Sequence, residues 1–317
     1  MAKRRRNTTA IEGDPGQVGP RASCPCGSGR RYKACHGRAD GVAPFVARSF
    51  KGLPGEADWV AMREIVPAAT ASVRLRAGVA ESAGPQPEVL VCTLLPLAYP
   101  GLVRADGAVW LGLQVQHGFG DPSRDLAWVL TRGLDSEPGT ELALVDDPGP
   151  GPRMQDLVDP APAFEVHVHE GFDFWVADVD DPDGSVAASL QAANEAAAPS
   201  VRLAGVDAAY WTRLNGKEFL RWVMPHDEDD LLDALARLHV AGDDTVGESS
   251  RLIGSFRAHG LLAPVWELSE GGGAGPLEEP AAAFAGRLGD ALTETAPLTA
   301  QQRSARSGLA SRQLTIR

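Results

Sequence analysis

Three of the four cysteines in this chain fall within thirteen residues, Cys24-Pro25-Cys26-Gly27-Ser28-Gly29-Arg30-Arg31-Tyr32-Lys33-Ala34-Cys35-His36, in the spacing Cys-x-Cys-x8-Cys-His. Thiolates and an imidazole gathered in this way are metal-ligand chemistry. Two cysteines two apart on an extended backbone turn their sulfurs to the same side, and the proline between them favours that extended shape. Gly27, Ser28 and Gly29 let the chain reverse and can aim amides at the thiolates, so that Cys35 and His36 close the site from the far side. Three thiolates and one imidazole fill the four tetrahedral positions zinc prefers and leave none for a reacting water. A closed site of this kind staples the chain and does not catalyse. About twenty residues cannot build a hydrophobic core, so metal binding worth about 10–16 kcal/mol is the expected source of order, and without zinc the stretch should be disordered. Arg30, Arg31 and Lys33 lie close enough to offset the net negative charge of the zinc-thiolate centre.

The CPCGSG start, the basic-aromatic middle from Arg30 to Lys33 and the Cys-His-Gly end resemble, in that order, the SEC-C motif. This is the short zinc-binding module found in the C-terminal tail of the preprotein translocase ATPase SecA. The resemblance covers about twenty residues and implies Cys24, Cys26, Cys35 and His36 as the zinc ligands. In SecA the module engages the chaperone SecB and the ribosome, which implies a docking role here too. Nothing downstream resembles the SecA motor, so those particular partners do not transfer. The whole arrangement, an Arg-rich start followed by SEC-C and an acidic Ala/Gly/Pro-rich body, also resembles an uncharacterised SEC-C-bearing family of high-GC bacteria, which implies no activity.

With 317 residues and 44% hydrophobic content, the chain is long enough for one large or two modest domains with a real core. The Lys3–Arg6 cluster is followed by no apolar stretch, so no signal peptide is expected. A disulfide framework belongs to short secreted chains and is not expected either. Cys92, alone in an apolar run, reads as a core residue. The longest apolar stretch, Val89 to Val103, is interrupted by Pro96 and Pro100 and is too short for a membrane span. These features point to the cytoplasm. The formal net charge of −12 is unevenly spread: residues 1–40 carry +6, residues 298–317 carry +4 and the stretch between carries −22. An acidic middle repels polyphosphate, so any RNA or ribosome contact is expected at the basic ends.

The expected organisation is a basic disordered tail (1–20), the zinc module (21–40), an acidic α+β body (41–270) with a possible internal boundary at the Pro/Gly-rich 146–153, and a glycine linker with C-terminal helices (271–317). The fold class expected is α+β, a mainly antiparallel sheet with a helical second half. The pattern predicts a first helix over 58–66. Alternating Val73, Leu75, Ala77 and Val79, the apolar run 88–95, and alternating Val109 to Val115 predict three strands joined by connections too short for crossover helices, hence antiparallel. His117-Gly118-Phe119-Gly120 reads as a turn into a helix beginning near Asp121-Pro122. Lacking a third glycine or a Gly-Lys-Ser/Thr, it gives no nucleotide fingerprint. Further helices are predicted over 185–197, over 210–223 as two pieces broken at Gly216, after the acids Asp227 to Asp230, over 250–259, and along Ala281, Phe284, Leu288 and Leu292. A strand is expected over 261–268, and the last segment, 299–317, is expected to be exposed.

His167-Val168-His169, with Glu170 and Asp173 nearby, is the other place where a metal could be considered. Register argues against it: pairing Val168 with Phe172 in a hairpin puts His169 in the loop and leaves His167 alone on the polar face. The acids at Asp227 to Asp230 are expected to complement a helix dipole and not to catalyse. The leading function is a zinc-binding docking or adaptor protein whose SEC-C module engages a protein, ribosome or RNA. One alternative is an enzyme with its active site in the body, with His117, His167 and Asp173 as participants. The other is a structural protein in which zinc only orders the N-terminus.

Overall fold

The computed structural model describes residues 21, 31, 45–80, 87–176, 185–248 and 250–314. Two sheets organise them, and the fold is α+β. The first sheet has strand order β5-β3-β4-β2-β1-β6, formed by β1 (Ala69–Val73), β2 (Val89–Cys92), β3 (Gly101–Val103), β4 (Val109–Gly112), β5 (Glu141–Leu142) and β6 (His167–Val168). Helix α1 (Glu56–Glu64) precedes it. Helix α2 (Pro122–Leu134) packs on β3, β4 and β5, and the single turn α3 (Met154–Leu157) packs on α2. Helix α4 (Ser185–Ala196) leads to the second sheet, of order β10-β11-β9-β8-β7: β7 (Ser200–Arg202), β8 (Ala209–Leu214), β9 (Lys217–Trp222), β10 (Arg251–Ala258) and β11 (Leu261–Glu267). Helices α5 (Glu228–Ala241), α6 (Glu278–Thr293) and α7 (Ala300–Ser311) complete the chain.

The second sheet is covered on both faces, and its side chains divide accordingly. Along β11, Leu261, Ala263 and Val265 enter the core shared with α1 and the first sheet, while Leu262 and Trp266 enter the core built with α5, α6 and α7. The same two-residue alternation sends Tyr210 of β8 to one core and Trp211 to the other. In the helical core, Trp222, Trp266 and Phe284 meet with ring centroids 5.1–6.3 Å apart.

Several sequence expectations are corrected here. Residues 210–223 form not two helices but the β8–β9 hairpin. Asn215 and Gly216 at its tip have φ of 51° and 81°, the two left-handed residues of a tight hairpin turn. Residues 250–259 form β10 rather than a helix and turn into β11 through His259 (φ 46°) and Gly260 (φ 75°). In both segments strands packed on two faces carry large apolar residues at neighbouring positions, Tyr210 beside Trp211 and Phe219 beside Leu220, which blurs the alternation that marks a half-buried strand. Of the three strands expected to be antiparallel, β1 and β2 are, but β2 and β4 run parallel. The unforeseen β3 supplies the reversal by pairing antiparallel with β4. The alternation at 73–79 continues past the end of β1, which closes at Val73.

The hairpin expected to pair Val168 with Phe172 does not form either. Strand β6 pairs with β1, placing Val168 opposite Ala69, and Asp173–Val176 is a 3-10 turn. That turn sets Phe172 and Trp175 three apart in helical geometry, and their rings stack at 4.4 Å in a small core with Ala68. The C-terminal helix is docked on α5 and not free: Leu309 is buried, and Arg306 bonds both Asp229 and Asp233. Other expectations match. Asp121 caps α2, its side chain accepting from the Ser123 N–H, Asp227 caps α5, and the acids Glu228, Asp229 and Asp230 occupy the first turn of α5. Cys92 is fully buried, and that burial pushes its thiol well above the ordinary value, consistent with an inert core residue. Among the described residues, no helix is long and apolar enough to cross a membrane.

Candidate functional site

The parallel pair β2–β4, the one such strand pair among the described residues, ends in a crevice. Beyond β4, the Leu113 N–H donates to Cys92 O at 2.9 Å and the Gln114 N–H donates to Thr93 O at 2.8 Å, which carries the pairing to the C-terminal edge of both strands. Open sheets place binding crevices at such carboxyl ends, where connections diverge to different sides. Here the crevice has a volume of about 360 Å³ and is lined by Arg63, Glu64, Ala98, Gln114, Val115 and Gln116.

Three elements line it: the end of α1, the chain leaving β4 and the Pro96–Ala98 turn. The Gln114 side-chain amide donates to Met62 O and Val66 O, both at 2.9 Å, capping the open end of α1 and tying that helix end to the strand end. With Nε2 committed, the carbonyl end of Gln114 remains to accept. The second wall is the turn Pro96–Ala98, where Leu97 and Ala98 both have φ of 54°, a left-handed conformation that costs non-glycine residues about 1–2 kcal/mol each. This turn lies against β4 because Gly112 has no side chain: a Cβ there would meet Tyr99 O at 2.5 Å. Behind the lining, the β10–β11 hairpin tip supports Glu64: His259 Nε2 lies 2.9 Å from Glu64 Oε1, and its ring meets Phe50 at 5.2 Å.

Electrostatics centre on Arg63. Its Nη1 donates to Leu113 O, and its buried Nε has no hydrogen-bond partner. Glu64 Oε1 is 3.5 Å away, farther than its contact with His259. Burial pulls the Arg63 guanidinium below its ordinary value, with Glu64 and Asp125 opposing. Burial would raise the Glu64 carboxyl, but the His259 hydrogen bond, the His259 charge and Arg63 outweigh it and hold the group below the usual range. Asp125, on α2 behind Arg63, is pushed up to about 6, chiefly by burial and despite accepting the Phe119 N–H at 2.9 Å.

The sequence-predicted residues lie elsewhere. Cys24, Cys26, Cys35 and His36 are outside the described residues. His117 is exposed between β4 and α2, and His167 is exposed on β6. Asp173 is exposed and accepts from Asn194 Nδ2 at 3.3 Å. His169 bonds Thr70 Oγ1 at 2.8 Å and rests on the Phe174 ring. No contact gathers His117, His167 and Asp173 into one constellation. Among the described residues, no group of three or more His, Cys, Asp or Glu is placed to hold a metal ion. Arg63, Gln114 and Asp125 come from three separated segments with no linear motif, so no sequence signal joined them.

Fold and crevice together define an α+β protein with a two-sheet body and a polar cleft at the ends of its parallel strands. Residues 49–317 match the family of unknown function DUF5926, and the chain belongs to that family. Residues 22–38 match the SEC-C motif, a motif associated with zinc binding. Comparison with curated proteins and with solved structures returned no match.

Proposed function

We propose that this protein is a cytoplasmic, zinc-stapled docking protein, in which residues 21–40 form a module that grips a protein, ribosome or RNA partner and the acidic DUF5926 body carries a second interaction. The observation that carries this reading is the SEC-C match at residues 22–38, which spans Cys24, Cys26, Cys35 and His36. That donor set suits zinc: three thiolates and one imidazole saturate a tetrahedral ion, whose role is then to order the module and not to activate water. The charge split supports the same division of labour. A basic head of net +6 is suited to acidic or polyanionic surfaces, from which the acidic body is repelled. A polybasic contact of this kind weakens as salt rises.

The test is metal analysis of the purified full chain and of a Cys24→Ser/Cys26→Ser variant, with in-cell crosslinking of both. One zinc per chain that is lost in the variant, together with loss of a defined set of crosslinked partners, is the expected result. A metal-free wild-type protein, or identical partner sets for the two proteins, would sink the reading.

A further inference from the structure

We infer that the crevice between α1, the Pro96–Ala98 turn and the end of β4 binds a small monocarboxylate that also carries a hydrogen-bond donor, an amino or hydroxy acid. This goes beyond the docking role and does not depend on the zinc module. The volume of about 360 Å³ suits a small molecule, lying near the low end of ligand cavities.

The ligand class follows from what the lining still offers. Arg63 has one hydrogen bond to a main-chain oxygen and a buried Nε with no hydrogen-bond partner, its ion-paired carboxylate neighbour being Glu64 Oε1 at 3.5 Å, which makes its closer contact with His259. A guanidinium carries five donors in a planar fork, so this one is under-satisfied. A carboxylate beside it would supply the missing acceptors. Gln114 has spent its amide nitrogen on α1 and presents an acceptor, and Glu64 presents another. These acceptors call for a donor on the same ligand. Glu64 and Asp125 leave Arg63 little positive charge to spare, so a monoanion is favoured over a phosphate dianion.

The left-handed pair Leu97 and Ala98 is a second, independent mark. Ala98 lines the crevice, and Leu97 beside it is 78% exposed. Backbone strain held at the wall of a polar cavity is the pattern of a binding site.

The experiment titrates the isotope-labelled full chain with lactate, alanine, propionate and inorganic phosphate, following the backbone amides of residues 113–116 by NMR. Saturable shifts with lactate or alanine, weaker ones with propionate and none with phosphate are expected. Arg63→Gln should weaken binding about tenfold or more, the loss of one charged hydrogen bond. Gln116→Glu, at an exposed position, should keep the fold and weaken binding about threefold by adding a like charge at the rim. The inference is overturned if neither lactate nor alanine gives a saturable response, if phosphate binds as well as they do, or if a folded Arg63→Gln protein binds them unchanged. Should Arg63→Gln fail to fold, unchanged binding by Gln116→Glu overturns it equally.

Discussion

Asp125→Asn should stabilise the protein, although Asp125 accepts a main-chain hydrogen bond and sits within reach of an arginine. The carboxyl is only 7% exposed, and burial together with the neighbouring Asp121 moves its pKa from 3.8 to about 6. An acid whose folded pKa lies above its unfolded one favours the fold in its protonated form. Its contribution is complete below about pH 4 and is lost as pH rises through about 6. Fully converted, the interval between the two pKa values is worth about 3 kcal/mol at neutral pH. Residual solvent screening of a partly wetted carboxyl reduces this to about 1–2 kcal/mol. The asparagine keeps an oxygen for the Phe119 N–H and carries no charge at any pH, so it removes this cost without vacating the site. Urea melts of both proteins between pH 4.5 and 8 measure the effect. The variant should gain about 1–2 kcal/mol at pH 7.5, with the gain shrinking steadily toward pH 4.5. A variant less stable than wild type at pH 7.5, or a gain that ignores pH, would refute the reasoning: either result would mean that the Arg63 charge outweighs burial and that Asp125 is a structural anion.

The joint between the two halves rests on Asp58 of α1, 3% exposed, which accepts from the Tyr210 hydroxyl at 2.5 Å and from Arg202 Nη2 at 3.0 Å. Burial and Asp58 raise the Tyr210 hydroxyl well above its ordinary value, so it stays a donor. Tyr210→Phe should therefore cost about 2 kcal/mol in urea melts, a hydrogen bond to a charged acceptor, with no change in the far-UV spectrum. Gly216→Ala meets no atom within 4 Å of the new Cβ, so its cost should be the backbone term alone, about 1 kcal/mol by the same assay; a much larger loss would indicate an unseen contact. Chelation of zinc should release one ion per chain and leave the thermal transition of the body unchanged, because both large cores are built from residues 50–314.

How much of this was legible in the sequence depends on whether the signal was local. Asp121-Pro122 announces α2 because a capping side chain and a proline at the first helical position act on the chain beside them. The acids before Leu231, Leu232 and Leu235 announce α5 for the same reason. The β8–β9 hairpin carried a local signal too: Asn-Gly is the strongest two-residue turn pair, but Trp211, Leu214, Phe219 and Trp222 around it suggest a helical stripe. Which reading wins is settled by the rest of the chain. A sheet covered by α1 on one side and by α5 and α6 on the other needs apolar residues on both strand faces, and no window of fifteen residues contains that fact.

The crevice lies further still from what a window can see. Arg63 is a cation near the end of a largely buried helix, and Gln114 a polar residue after a strand. They become a site because β3 inserts between β2 and β4 in sequence and lets those two run parallel, bringing both carboxyl ends to the end of α1. A local property is inherited by any fold the segment enters, whereas this one belongs to a single topology. If the SEC-C motif was readable within residues 22–38 and the crevice of the body was not, the reason is physical: a short motif gathers its residues from one stretch of sequence, and a pocket gathers them from wherever the sheet order delivers them.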